Sequence, residues 1–297
     1  MRLMELRYIC RSLLRLLFTM ILTSSFTFAN EVDLVRYTDS KKYPDLKQSY
    51  FVDLLELALE ASKTRYGDYK LEPVYIEVPY SRTSIMLQRN QLIDITWLMA
   101  STTLEKKLQA IYFPVIKGIM GYRIFIIHKD KQHFFSKDMP LAELQKIPLG
   151  QGVNWTDSAI LLANNFSVVT ANYDLLINML KKERFTYFPR ALHEPWLEIT
   201  EEENLTVENH LLLKYPAPTY FYVSNNNKRL QQRLTFGLGK LLESGKFEQF
   251  FLTHKITSDI LIRANVKKRT SFSLHNPLLS EKSKELLTDP RLWLKLD

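Results

Sequence analysis

The residues best suited to recognising a small charged solute are few, and they sit at the ends of apolar runs. Arg82 opens the helical segment Ser81–Arg89, where a cation opposes the helix dipole. Arg190 closes an apolar strand, a position that points into the crevice of an α/β sheet, unless Glu194 or Glu198 simply pairs with it. The turn Gly150–Asn154, with Gly152 at its centre, precedes a helix beginning near Trp155 and Thr156. Free backbone N–H groups at such a helix start favour an anion, although Asn154 or Thr156 acting as an ordinary cap leaves the turn purely structural. Tyr37, Trp97 and Trp155 offer flat faces for stacking or for the core. Ser101, Thr102 and Thr103 follow an apolar run and supply hydroxyls, with Thr103 expected as both helix cap and ligand group.

Chemistry beyond binding has little support. His128, His133, His193, His210, His254 and His275 form no metal-spaced pair, and His193-Glu194 lacks the second histidine of a zinc protease helix. No nucleophile elbow, P-loop or dinucleotide fingerprint occurs. The lone Cys10 excludes an intramolecular disulfide and a cysteine-based zinc site. No catalysis, metal or cofactor is therefore expected.

The elements that must position these groups alternate between strand and helix periods. Val32–Tyr37, Leu71–Val78 and Ile93–Met99 read as strands, separated by helices over Tyr50–Tyr66 and Ser81–Arg89. A second series runs through strand Ile147–Gly150, helix Trp155–Asn165, strand Val168–Thr170, helix Tyr173–Arg184 and strand Thr186–Phe188. Strands separated by helices imply mainly parallel sheets with right-handed crossovers. Gly121–His128 lies between the series and Thr219–Val223 after the second, both long enough to be extended crossings. Lys228–Leu242 and Phe247–Ile262 read as helices that return to the first unit.

The chain has 297 residues, with 46% hydrophobic and 24% charged, enough for a large core and inconsistent with disorder. Arg2, Arg7, Arg11 and Arg15 precede the apolar stretch Leu16–Leu22, and Thr27-Phe28-Ala29 suits signal peptidase, so export with cleavage after Ala29 is expected. Thr23, Ser24 and Ser25 interrupt the stretch before it reaches the roughly 20 residues of a spanning helix. Removal takes away four arginines and Glu5, lowering the net charge from +8 to +5. Lys and Arg are dispersed, including the turn-like Lys267-Lys268-Arg269, which argues against nucleic acid.

Several segments in order resemble the periplasmic solute-binding proteins of family 3, the amino-acid-binding type with the type II periplasmic-binding fold. They are Val35-Arg36-Tyr37-Thr38-Asp39, Thr103-Leu104-Glu105-Lys106-Lys107, Phe113-Pro114 leading to Gly118 and Gly121-Tyr122-Arg123, and Gly150-Gln151-Gly152 running into Trp155-Thr156-Asp157-Ser158. Arg184–Arg190 and Asn276-Pro277-Leu278-Leu279 look like a divergent, stand-alone branch. The resemblance implies two α/β lobes joined by two crossing strands: residues 30–119, then 120–219, then 220–297 returning to the first lobe after a signal peptide at 1–29. It also implies an arginine for the ligand carboxylate where Lys106 stands, and an acidic residue for the ligand ammonium where Arg190 stands, with Glu194 four residues on. Lysine lacks the planar fork of arginine, which puts ordinary α-amino-acid recognition in doubt.

The expected protein is a periplasmic, monomeric solute receptor that closes about crossings near Gly121 and Pro218 on an anionic or zwitterionic, amino-acid-like solute. The expected ligand residues are Tyr37, Arg82, Trp97, Thr103, Lys106, Gly152, Trp155, Thr156, Arg190 and Glu194. An ABC permease is the expected partner. A membrane sensor kinase or cyclase is the alternative, and an enzyme reusing the cleft a weaker one.

Overall fold

The computed structural model describes residues 32–39, 48–76 and 80–294. The expected signal segment, with Cys10, lies outside the described residues. No helix among those described is long and apolar enough to cross a membrane.

The elements in chain order are β1 (Asp33–Asp39), α1 (Gln48–Ala61), α2 (Lys63–Tyr66), β2 (Tyr69–Tyr75), α3 (Tyr80–Gln88), β3 (Ile95–Met99), α4 (Thr102–Lys107) and β4 (Gln109–Ile111). There follow β5 (Tyr122–His128), α5 (Leu141–Leu144), β6 (Leu149–Gly152), α6 (Thr156–Ala163), β7 (Val168–Ala171), α7 (Tyr173–Lys181), β8 (Tyr187–Ala191), α8 (Pro195–Glu198), β9 (Leu205–Val207) and β10 (Leu211–Lys214). The chain ends through β11 (Thr219–Val223), α9 (Lys228–Glu243), α10 (Lys246–Thr253), α11 (Ile260–Ala264), β12 (Thr270–Ser273) and α12 (Glu281–Glu285).

In the first lobe β1 and β2 pair in parallel, and β3, β11 and β4 form a sheet in which β11 runs antiparallel to both neighbours. The two sets join where the Asp94 N–H donates to the Arg36 carbonyl at 2.8 Å, beside a two-pronged Arg36–Asp94 ion pair. α1 covers them because Tyr50, Phe51, Leu54, Leu55, Ala58 and Leu59 fall on one helical stripe. α9 packs against α1 through the stripe of Leu230, Leu234, Leu238 and Leu241.

The second lobe is a seven-stranded sheet in the order β12-β10-β5-β8-β6-β7, with β9 also on β5. The expected mainly parallel arrangement needs correction here. β5 arrives from the other lobe and runs antiparallel to β8, β9 and β10, so only β8-β6-β7 and β10-β12 are parallel pairs. Its interior residues, Arg123 to Ile127, are all buried, as a central strand covered on both faces requires.

β6 and β8 share a single register pair, Leu149 with Tyr187. Pro189 has no N–H to continue a ladder, and the side-chain amide of Gln151 donates instead to the Pro189 carbonyl at 3.2 Å. The ladder between the two strands thus stops before their carboxyl ends, where such sheets place the crevice used for ligands.

The tail also differs from expectation. The helix expected over Phe247–Ile262 stops at Thr253, where the His254 ring bonds Asp53 at 3.0 Å and accepts the Ile256 N–H at 3.1 Å. The chain then leaves the first lobe, and β12 adds to β10 in the second-lobe sheet, so 220–297 does not pack on the first lobe throughout.

Candidate functional site

A cleft of about 640 Å³ lies where the two lobes face each other. On the first-lobe side, β3 supplies Trp97, Leu98 and Met99, and α1 supplies Gln48 and Phe51. Trp97 and Phe51 stack with ring centroids 5.3 Å apart and planes 9° from parallel, a rigid aromatic wall. Ser101 is the N-cap of α4, its hydroxyl accepting the Leu104 N–H at 3.3 Å, so Thr103 is not the cap. Thr103, one turn before Lys107 on the same helix face, lines the cleft with it.

Lys106 does not line the cleft. Each residue turns an α-helix by about 100°, so the position expected from the resemblance points away and its neighbour Lys107 takes the rim. Arg82 is exposed, and α3 contributes Ser84 instead. Tyr37 stands in the core behind the wall, its ring 6.3 Å from Trp97, and burial raises its phenol pKa above the ordinary value. Gly152 is roofed by the Trp155 ring so closely that a Cβ there would come within 2.1 Å of it. These four expected ligand residues lie off the cleft surface, whereas Trp97, Thr103, Trp155, Thr156, Arg190 and Glu194 are on it.

The second-lobe side is an ionic floor that joins the expected Arg190 and Glu194 to Arg123, Asp157 and Tyr215. Arg123, fully buried at the start of β5, pairs through Nη2 with Asp157 and through Nη1 with Glu194 at 3.5 Å. Tyr215, on the second crossing, donates its hydroxyl to Asp157. Arg190 binds Glu198 through Nε at 2.7 Å and Nη2 at 2.5 Å, and Nη2 also reaches Glu194 at 2.9 Å. Its guanidinium lies 4.9 Å from the ring centroids of both Trp155 and Phe188 and 5.7 Å from that of Tyr173. Tyr173 in turn donates to Glu198 at 2.9 Å.

Burial disfavours charge on both arginines. The facing carboxylates outweigh it, Asp157 at Arg123 and Glu194 with Glu198 at Arg190, and hold both guanidinium pKa values above the usual range. Two cations thus meet three carboxylates, and Arg190 is held by the protein's own acids. Arg82 and Lys106 lie off the cleft and Arg190 is neutralised by its carboxylates, which leaves Lys107 to balance the set. Two buried polar atoms on the cleft have no hydrogen-bond partner among the described residues, Arg123 Nε and Thr219 Oγ1. Arg123 was legible as a charge inside the apolar run Gly121–His128; nothing local marked Tyr173 or Lys107 as cleft residues.

Two α/β lobes, two crossings between them and a cleft at the carboxyl ends of their strands define the type II periplasmic-binding fold. Sequence comparison finds no matching family model and no matching curated protein. Solved structures do match. The arginine-specific periplasmic binding protein of Salmonella typhimurium aligns with TM-score 0.54 at 12% identity, over 74% of this chain and 97% of that one. The probable amino-acid ABC transporter extracellular-binding protein of Bacillus subtilis aligns with TM-score 0.54 at 14% identity, over 77% and 100%. A histidine kinase sensor domain with similarity to periplasmic binding proteins aligns with TM-score 0.51 at 14% identity, over 74% and 94%. The chain therefore has the fold of the amino-acid substrate-binding proteins, which also serves as a sensor domain.

Proposed function

We propose that this protein is an exported receptor that closes its two lobes on a small zwitterionic, amino-acid-like solute. The observation that carries the reading is the polarity of the cleft. One rim offers a cation and a hydroxyl, Lys107 and Thr103, and the opposite floor offers the carboxylates of Asp157 and Glu194 beside paired arginines. A carboxylate on the solute matches the first and an ammonium the second, while Trp97, Phe51 and Trp155 take its apolar body. A purely anionic solute suits the cleft less well, because the floor already holds three carboxylates against two guanidinium groups.

In this reading the lobes comprise 30–119 with most of the tail and 120–219, moving about Gly121 and Pro218, and the leader 1–29 is removed on export. Intact-mass measurement of the exported protein tests the leader, and retention of Met1 defeats it. The role is delivery to an ABC permease. The likeness to a sensor domain supports the second reading, presentation of the closed state to a membrane sensor.

The test is a thermal-shift screen of the exported protein against amino acids, amines and dicarboxylates. A solute at 100 times its dissociation constant adds about 2.7 kcal/mol of stability. A response to zwitterions that disappears for the matching amine and acid supports the reading. A response to dicarboxylates alone overturns it.

A further inference from the structure

In a two-crossing hinge only the segments leading into β5 and β11 connect the lobes. Here the tail adds two more connections. After α10 it moves onto the second lobe, where the Arg263 guanidinium lies 5.0 Å from the Trp196 ring centroid and Arg269 donates to the Leu211 carbonyl at 3.0 Å. It stays there through β12, whose ladder continues until the Leu274 N–H donates to the Lys214 carbonyl at 2.7 Å. It then returns over the hinge.

The return is pinned at each step. The Asn276 side-chain amide, buried, donates at 2.7 Å to the carbonyl of Pro216, in the second crossing. The Leu278 carbonyl accepts both the N–H and the hydroxyl of Thr102 at the start of α4, at 2.8 and 2.7 Å. Ser280 and Ser283 donate to the two oxygens of Glu105 at 2.5 and 2.9 Å. Finally the Trp293 ring packs against Gly118 in the first crossing, and the Leu294 N–H donates to the Lys117 carbonyl at 2.9 Å. Gly118 has φ +72°, and a Cβ there would stand 2.5 Å from the Trp293 ring, so the crossing is shaped to seat it.

We propose that Leu274–Leu294 is a brace across the hinge that sets the angle between the lobes and limits how far they open. One segment touches both lobes and both crossings, so the lobes cannot rotate apart while Asn276 and Trp293 keep their seats. The inference rests on the fold and not on the identity of any solute, so it stands or falls separately from the receptor reading.

The test measures inter-lobe distance in the ligand-free full chain. Spin labels at Gln88→Cys on α3 and Asn178→Cys on α7, in a Cys10→Ser background, report it by pulsed electron resonance. The expected result is one narrow distance distribution, which broadens and shifts to longer distances when Asn276→Ala and Trp293→Ala are combined. Cooperative melting shows that the variant is folded; if it is not, Asn276→Ala with Ser280→Ala is measured instead. A folded variant with an unchanged distribution overturns the brace. Amide exchange on the parent chain gives a second reading. The Leu274 and Leu294 amides should exchange as slowly as those of β10, and exchange at the rate of exposed loops also overturns it.

Discussion

Gly121 and Tyr215, one on each crossing, are bonded directly: the Tyr215 N–H donates to the Gly121 carbonyl at 2.9 Å. A Cβ on Gly121 would lie 1.8 Å from the Tyr215 carbonyl oxygen, so the crossings meet only because that residue has no side chain. Gly121→Ala must force them apart. Overpacking of this kind costs about 1–3 kcal/mol, and more here because the obstacle is backbone. A lowered urea midpoint checks it; an unchanged midpoint shows that the crossings have slack.

Arg190→Ala should act on stability more than on solute affinity. It leaves Glu194 and Glu198 without their shared cation and removes the support beneath Trp155. Breaking a buried ion pair from one side costs about 3–5 kcal/mol. Adding Glu198→Gln should recover part of that loss, because one uncompensated carboxylate is gone. Equal destabilisation in the single and double variants, read by denaturant unfolding, contradicts this account.

Lys107 and Lys106 should separate cleanly in a binding assay. Lys107→Ala removes the rim cation and should weaken the best solute by about 1 kcal/mol, roughly fivefold, the scale of an exposed charge contact. Lys106→Ala should leave affinity where it was. The opposite order would restore the position expected from the resemblance.

Alkaline pH should unfold the protein through its tyrosines. Burial holds the phenols of Tyr50, Tyr187 and Tyr215 well above their ordinary pKa, with Asp157 adding to the effect at Tyr215. In the unfolded chain they ionise near pH 10. The unfolded state therefore releases protons that the native state keeps. The stability these groups contribute is intact below about pH 10 and falls as pH rises toward their folded values. Urea midpoints measured on both sides of that point should drop steadily above it, and Tyr187→Phe should flatten the drop. A midpoint indifferent to alkali would mean that these rings open to solvent without unfolding.

The amino-acid sequence by itself determined the alternation of strand and helix, because burial of one face imposes a period that neighbouring residues must share. α1 with its stripe from Tyr50 to Leu59, and β11 with its unbroken apolar run, were legible in that way. β4, β9 and β10 have only three or four residues each, too few for a period, and form on the longer strands β11 and β5, while β12, equally short, forms in turn on β10. Tertiary structure alone decided the charges of the cleft. Whether Arg190 meets a solute or Glu198 depends on where α8 places that carboxylate, and Arg123 meets Asp157 only because β5 and α6 come together across 34 residues of chain. Local pattern reports which face of an element is apolar; it does not report what stands opposite, and an ion pair is a property of what stands opposite.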